Sequence, residues 1–351
     1  MLPRTPLRPL CRALAAALGA LALAAPAARA QSAAYTFTQL NPTDQDGNPA
    51  GRSQAYGVNN AGQVAGTYQD AFNFEYGFVY SGGAYATISD ESSFFPQTRV
   101  HGINNLGQLV GVNYVGNGNH SFVYTAGTFT NFTVPDASET TARGINDAGL
   151  VVGYYGSAGS PDQGFLYDSR TGAYSTISVP GADVTRAFGI NNLGQVVGSY
   201  DDATGAHAFT YNATTSLFGT FDVPGSYYYT DAYGVNDLGQ IVGAYEDQDG
   251  NDHGFLYAGG AFTTLDYPGS TDVYGYSRTY AYGINNAGRI AGYYVDGYDD
   301  NYDDVQRGFV ADPAGAAVTT PEPATYALLV PGLLALGAVA GRRSRRQRSL
   351  Q

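Results

Sequence analysis

Cysteine is almost missing from this chain of 351 residues, and lysine and tryptophan are missing altogether. The single cysteine, Cys11, stands in a leader-like segment, so the chain beyond it has neither a disulfide nor a thiol nucleophile. Without lysine, all side-chain cations except histidine are arginine. Positions 31–320 hold 8 Arg against 29 Asp or Glu, a net charge of −21. A surface of that sign repels phosphate backbones and anionic headgroups, which excludes nucleic acid as a partner, and it attracts cations. Histidine is scarce at 4 residues, and no Ser-His-Asp order, nucleophile elbow or metal-binding histidine spacing occurs. Between the two ends no segment carries a convincing helical period.

Both ends read as targeting elements. In residues 1–30, Arg4, Arg8 and Arg12 begin a secretory signal peptide, and Ala13 to Ala27 form its apolar run. Ala28-Arg29-Ala30 is a small-x-small cleavage site that leaves Gln31 as the first mature residue. In residues 319–351, Pro321-Glu322-Pro323 precedes an apolar run at 324–340, at the short end of what spans a bilayer as a transmembrane helix. Five arginines follow between Arg342 and Arg348, which predicts a cytoplasmic end with residues 31–320 outside.

This three-part order resembles the PEP-CTERM sorting signal of Gram-negative bacteria. The resemblance implies an exosortase, a membrane cysteine transpeptidase, as a partner of the tail. It also implies transit through the inner membrane, and a place at the cell surface or in the matrix of species that make extracellular polysaccharide. The plainer reading of the same residues is a stop-transfer anchor.

What fills positions 31–318 is repetition. Gly-Val-Asn-Asn-Ala-Gly-Gln-Val-Ala-Gly begins at Gly57, and close variants begin at Gly102, Gly144, Gly189, Gly234 and Gly283. A period near 45 residues means several copies of one supersecondary unit, none able to bury its apolar face alone. The copy at 188–225 predicts four short antiparallel strands, Phe188–Asn191, Gln195–Tyr200, His207–Tyr211 and Leu217–Val223. A polar loop, Asp201 to Ala206, joins the second to the third. Four strands per repeat is the size of a propeller blade.

The last repeat lacks a fourth strand. Ala34 to Pro42 matches Ala261 to Pro268 with one extra residue, so an N-terminal strand can complete the final blade and leave no free sheet edge. The expected fold is therefore all-β, a six-bladed β-propeller closed by its N-terminal strand. An open β-solenoid is the alternative.

The tripeptide His207-Ala208-Phe209, with His120-Ser121-Phe122 and His253-Gly254-Phe255, resembles the name-giving motif of the HAF family of extracellular repeats. The remaining copies depart from it at Tyr76, Gln163 and Arg307. The resemblance covers residues 50–312; it implies an exported repeat protein and assigns no reaction.

Three of the four histidines share one repeat position, so they stand on different blades and predict strand-edge roles. His101 precedes a repeat glycine, where other copies have Tyr, Phe or Arg, and reads the same way. The paired asparagines sit where a hairpin needs side chains that bond their own backbone, and Asp147 and Asp237 replace the second of the pair.

The loops carry the chemistry. Connections from strand 2 to 3 and from strand 4 to the next strand 1 emerge on one propeller face, and 23 of the 29 acids fall there. Two of them read Asp-Gln-Asp-Gly-Asn. Asp44, Asp46 and Asn48, and likewise Asp247, Asp249 and Asn251, present alternating oxygens around a glycine turn, a pattern that suits calcium. A solvated turn is the plain alternative, since neither loop has the closing glutamate of the twelve-residue calcium motif. Tyr227, Tyr228, Tyr229, Tyr274, Tyr276, Tyr280, Tyr298 and Tyr302 crowd the same face, where tyrosine with carboxylates suits saccharides. The predicted role is a binding module for extracellular polysaccharide or a surface protein, with a purely structural matrix protein as the alternative. A carbohydrate-active enzyme using paired acids such as Asp201-Asp202 ranks behind both.

Overall fold

The computed structural model describes residues 35–314, apart from 45–46, 91–96, 116–117, 158, 272–274 and 299–303. Ala28, Ala30 and Gln31, the Pro321-Glu322-Pro323 motif and the apolar run 324–340 lie outside the described residues, as do Tyr274 and Tyr302. Among the described residues there is no helix, and so none long and apolar enough to cross a membrane.

Among the described residues, twenty-four strands form six sheets of four. β1 (Tyr35–Gln39) comes first in the chain. Blade 1 is β2 (Arg52–Val58), β3 (Val64–Gln69), β4 (Glu75–Ser81) and β5 (Ala84–Ile88). Blade 2 is β6 (Thr98–Ile103), β7 (Leu109–Val115), β8 (Gly118–Thr125) and β9 (Thr128–Phe132). Blade 3 is β10 (Glu139–Ile145), β11 (Leu150–Ser157), β12 (Ser160–Asp168) and β13 (Tyr174–Ile177). Blade 4 is β14 (Val184–Ile190), β15 (Gln195–Asp202), β16 (Gly205–Asn212) and β17 (Leu217–Phe221). Blade 5 is β18 (Thr230–Val235), β19 (Ile241–Glu246), β20 (Asp252–Ala258) and β21 (Ala261–Leu265). Blade 6 is β22 (Thr279–Ile284), β23 (Ile290–Tyr298), β24 (Asp304–Pro313) and, on its outside, β1.

The chain is a six-bladed β-propeller, and β1 closes it. Tyr35 pairs with Pro313 and Gln39 with Phe309 in an antiparallel register. Phe37 packs edge-on against Tyr267 of the preceding connector and Phe309 of β24, so the closing strand is held by rings as well as by backbone.

The strands run longer than the sequence pattern predicts. In blade 4 the inner strand begins at Val184, and Asp201 and Asp202 belong to β15 while Gly205 and Ala206 belong to β16. The expected polar loop is therefore a two-residue hairpin turn, with Asp202 opposite Gly205. Successive strand residues point to opposite sheet faces. Asp201 accordingly sits 3.9 Å from the Arg186 guanidinium, while Asp202 holds Thr204 and faces His207.

The core lies between blades, in six clusters, each built on one fully buried phenylalanine of a third strand: Phe78, Phe122, Phe165, Phe209, Phe255 and Phe309. Full burial of such a ring stabilises by about 1.5–3 kcal/mol. Each ring faces a glycine in the second strand, as Phe209 faces Gly198. A Cβ on Gly198 would stand 2.0 Å from the Arg186 carbonyl oxygen and 2.7 Å from the Phe209 ring. The Phe of the third strand and the Gly of the second are thus one packing unit, repeated six times.

Candidate functional site

The repeat phrase sets the axis in layers. Its glycine touches the next blade's backbone; a Cβ on Gly234 would lie 2.3 Å from the Tyr282 carbonyl oxygen. The next residue is Val58, Ile103, Ile145, Ile190, Val235 or Ile284, an apolar layer that walls two small axial cavities of about 100 and 70 Å³.

Then come the paired asparagines, which do more than shape their own turns. In every blade the first Asn accepts, through Oδ1, the N–H groups two and four residues on, as Asn59 does from Ala61 and Gln63. Its Nδ2 donates to the carbonyl oxygen of the first Asn in the next blade, at 2.9–3.1 Å, until Asn285 returns to Asn59. The second residue of each pair accepts, through Oδ1, the backbone N–H of its counterpart in the preceding blade, at 2.8–2.9 Å. Two closed rings of six hydrogen bonds result. The first position needs both a donor and an acceptor, hence Asn throughout. The second needs only an acceptor, which Asp147 and Asp237 supply equally well.

On the other side of the glycine, register shifts by one residue in all six inner strands, between Ala55 and Gly57 in blade 1 and at the equivalent pair elsewhere. Such a bulge re-aims a side chain. The bulged residues are Tyr56, His101, Arg143, Phe188, Tyr233 and Tyr282, and all six line the axis. The reading of His101 as a strand-edge residue is corrected here. It is buried, and its Nδ1 donates to the Ala142 carbonyl oxygen at 2.9 Å. Burial, with the Arg143 charge beside it, holds its pKa well below the ordinary histidine value, so the ring is neutral. Sequence alone offered one hint: this is the most variable position beside the least variable glycine.

Two residues earlier in the inner strands stand Gln54, Arg99, Thr141, Arg186, Asp231 and Tyr280. A cavity of about 420 Å³ opens here across blades 1 to 3, walled by Gln54, Glu75, Arg99, Glu139, Thr141, Arg143 and Tyr154 among others. That is within the range of small-molecule sites, about 300–1,000 Å³.

The axis is electrically lopsided. Arginines stand on blades 2, 3 and 4: Arg99 pairs with Glu75, and Arg186 with Asp162 at 2.7 Å. Arg143 pairs with neither acid nor amide among the described residues. Its guanidinium lies 5.8 Å from the Tyr56 ring centre and 5.3 Å from that of Phe188, spanning from blade 3 to blades 1 and 4. The opposite wall is phenolic and acidic. Tyr233 donates to Asp231 at 2.9 Å, and Tyr229 and Tyr280 both donate to Asp252. Burial raises the Asp231 pKa.

These contacts correct part of the loop-face picture. Tyr229 and Tyr280 turn inward to Asp252, and Asp231 belongs to the axis rather than to a connector. Tyr227 and Tyr228 do stand exposed, in edge-to-face contact with ring centres 4.6 Å apart. The loops after second strands and the connectors before inner strands share a face, as parallel bridges Glu75–Gln97, Ala206–Tyr229 and Asp252–Arg278 show.

Of the two Asp-Gln-Asp-Gly-Asn loops, Asp46 lies outside the described residues. Asp44 accepts the Asn48 backbone N–H at 2.7 Å and its side-chain amide at 3.0 Å. Asp247 accepts the N–H groups of Asp249 and Asn251 and faces His253 Nε2 at 3.0 Å. Asn251 directs its Oδ1 to the Ser277 N–H at 3.0 Å. Each loop closes on its leading aspartate, and N–H donors rather than further oxygens surround that carboxylate. Among the described residues no three His, Cys, Asp or Glu side chains group as a metal site.

The histidines of the third-strand motif stand on separate blades, as expected, and two of them act as clamps. His253 lies between Asp266, at 2.9 Å from Nδ1, and Asp247. His207 lies between Asp222, at 2.9 Å from Nδ1, and Thr204. Each ties a hairpin tip to the end of the outer strand.

No protein-family model matches this chain, and no curated protein does. Among solved structures it is similar to a mutant of the Aleuria aurantia lectin AAL in complex with Fucalpha1-6GlcNAc, at 14% identity and a TM-score of 0.47, over 77% of this chain and 100% of that one. It is similar also to TolB from Acinetobacter baumannii, at 11% identity and a TM-score of 0.49, over 71% of this chain and 63% of that one. A third is Trypanosoma rangeli sialidase in complex with the inhibitor DANA, at 9% identity and a TM-score of 0.48, over 81% and 60%. This chain thus spans less than two thirds of the last two. The six blades stand on their own strand pairing.

Proposed function

We propose that this is an exported surface or matrix protein whose axial funnel binds a saccharide of the surrounding extracellular polysaccharide. One observation carries the reading: residues facing the funnel, the cavity of about 420 Å³ across blades 1 to 3, differ in chemistry from blade to blade, while the glycine, apolar and asparagine layers of the inner strands recur. A purely structural axis needs only one kind of apolar lining, as Val and Ile supply on all six blades. Gln54, Arg99, Thr141, Glu139 and Tyr154 instead surround open volume with hydroxyl, amide, charge and a ring face. These are the groups that hold sugars by hydrogen bonds and stacking. The role is binding rather than turnover.

Calorimetry of the full chain against a panel of neutral and acidic oligosaccharides tests this. Binding in the wild type, abolished by Thr141→Trp, which fills the funnel, is the expected result. Binding that survives Thr141→Trp would move the site elsewhere. The tail is read as an exosortase substrate on its Pro321-Glu322-Pro323 order. Replacing those three residues by alanine should retain the protein at the inner membrane in cell fractionation, and unaltered surface display would dismiss that part.

A further inference from the structure

Arg143 is the most unusual charge in the molecule. It sits at the bottom of the funnel of a chain whose other axial arginines, Arg99 and Arg186, each have a carboxylate against them. Among the described residues Arg143 has no ion pair and no hydrogen bond; its contacts are the faces of Tyr56 and Phe188. It borders both the axial cavity of about 100 Å³ and the larger one of about 420 Å³. Its side chain is only partly buried, so it is open to the space that it lines. The neutral His101 beside it adds no second charge.

We infer that Arg143 is an anion receptor for the carboxylate of a terminal uronate unit in an acidic glycan. This rests on the saccharide reading above and names its chemical class. Arginine presents a planar fork of N–H donors that matches a carboxylate in bidentate fashion, and two aromatic faces hold the fork against rotation. The site takes a chain end because the funnel has a floor. The rings of Tyr56, Tyr282, Tyr233 and Phe188 touch one after the next beneath it, with Tyr233 and Tyr282 stacked at 4.2 Å, and Arg143 bridges the two ends of that row, so a polymer cannot thread through. Gln54 and Thr141 stand above the floor, where ring hydroxyls of the same unit would lie.

The net charge of the chain opposes any anion, and the funnel is built around that opposition. Screening at physiological salt confines each surface acid to about 8 Å. Of the two acids lining the cavity, Glu75 is already neutralised by Arg99, which leaves Glu139, exposed at the rim, as its repulsive group; Asp231 stands on the opposite wall, where it accepts from Tyr233. Glu139 therefore orients the ligand: hydroxyls face the rim and the carboxylate goes to the base.

The test compares trigalacturonate with its methyl ester, which keeps the shape and removes the charge, by calorimetry on the full chain. The acid should bind at least tenfold more tightly than the ester. Arg143→Gln should bring the acid down to the ester's affinity, and Arg143→Lys should restore part of the difference. Glu139→Gln, at an exposed position with no side-chain partner among the described residues, should tighten the acid more than the ester, which keeps the test decisive if Arg143→Gln misfolds. Equal affinity for acid and ester, or a preference untouched by Arg143→Gln and Glu139→Gln alike, overturns the inference. In that event the saccharide reading still stands if Thr141→Trp abolishes both. Absence of binding by every glycan, neutral or acidic, removes the two together.

Discussion

Asn285 donates its side-chain amide to the carbonyl oxygen of Asn59, 226 residues earlier, at 3.0 Å. The same bond joins every other pair of neighbouring blades. Blades 6 and 1 are thus joined by the most ordinary contact in the molecule, one that a single repeat cannot make and six repeats make without remainder.

The two asparagine positions should respond differently to substitution. Asn59→Asp replaces the donor to the buried Asn104 carbonyl oxygen by a carboxylate oxygen, leaving that carbonyl only the Gly107 N–H at 3.2 Å, at a cost of about 1–3 kcal/mol. Asn60→Asp keeps the Oδ1 that accepts from Asn286 and should change stability by less than about 0.5 kcal/mol. Urea denaturation at neutral pH measures both. Equal losses would refute the assignment of distinct roles.

The packing unit of third-strand Phe and second-strand Gly predicts two large effects at one place. Phe209→Ala should destabilise by about 3–5 kcal/mol through the cavity it leaves between blades 3 and 4. Gly198→Ala, a far smaller change, should be comparably severe, because its Cβ falls 2.0 Å from a backbone oxygen that cannot retreat without breaking the bulge. A mild Gly198→Ala would mean that the inner strands can shift.

The His253 clamp predicts a pH dependence with two limbs. Burial opposes its charge, but hydrogen bonds to Asp266 and Asp247 outweigh that and raise its pKa from 6.5 to about 9. A raised folded-state pKa gives stabilisation that is complete below 6.5 and is lost as pH rises through about 9. Asp247 has the opposite sign. Despite burial, the N–H groups of Asn251 and the bond to His253 hold its carboxyl well below the usual range, so its contribution is lost only in strong acid. Melting temperature against pH should fall above pH 7 in the wild type and flatten there in His253→Ala. An unchanged slope in the variant would assign the loss to other groups.

Closure by β1 makes the molecule vulnerable at one strand. Phe37→Asp places a charge between Tyr267 and Phe309 and should release β1, baring the edge of β24. An unpaired edge templates association. Light scattering should then show concentration-dependent oligomers, and a monomer of unaltered stability would deny β1 its role.

Blade number, strand order and the strand-swapped closure were legible in the sequence, because each rests on periodicity and on local turn chemistry that a 45-residue repeat states six times. What could not be read are features that exist only when blades meet. The bulge beside Gly57 and its counterparts has no signal of its own, so Tyr56, His101 and Arg143 looked like strand residues of no special direction. The asparagine pairs were recognisable as turn formers, which the first one is, but its second bond crosses to another repeat. Asp231 and Tyr229 read as loop residues by composition, yet the inner strand carries them or their neighbours into the axis. The loops drew attention because they vary in length; the axis varies in chemistry at constant length, which is harder to see.

The strand made first is the strand placed last. β1 leaves the ribosome before any blade exists, and its partner β24 is the last of the described strands to follow. Until then β1 has nowhere to go, and the ring stays open at one point. A chain cut short anywhere before β24 therefore cannot close. The propeller checks its own length before it becomes a finished surface.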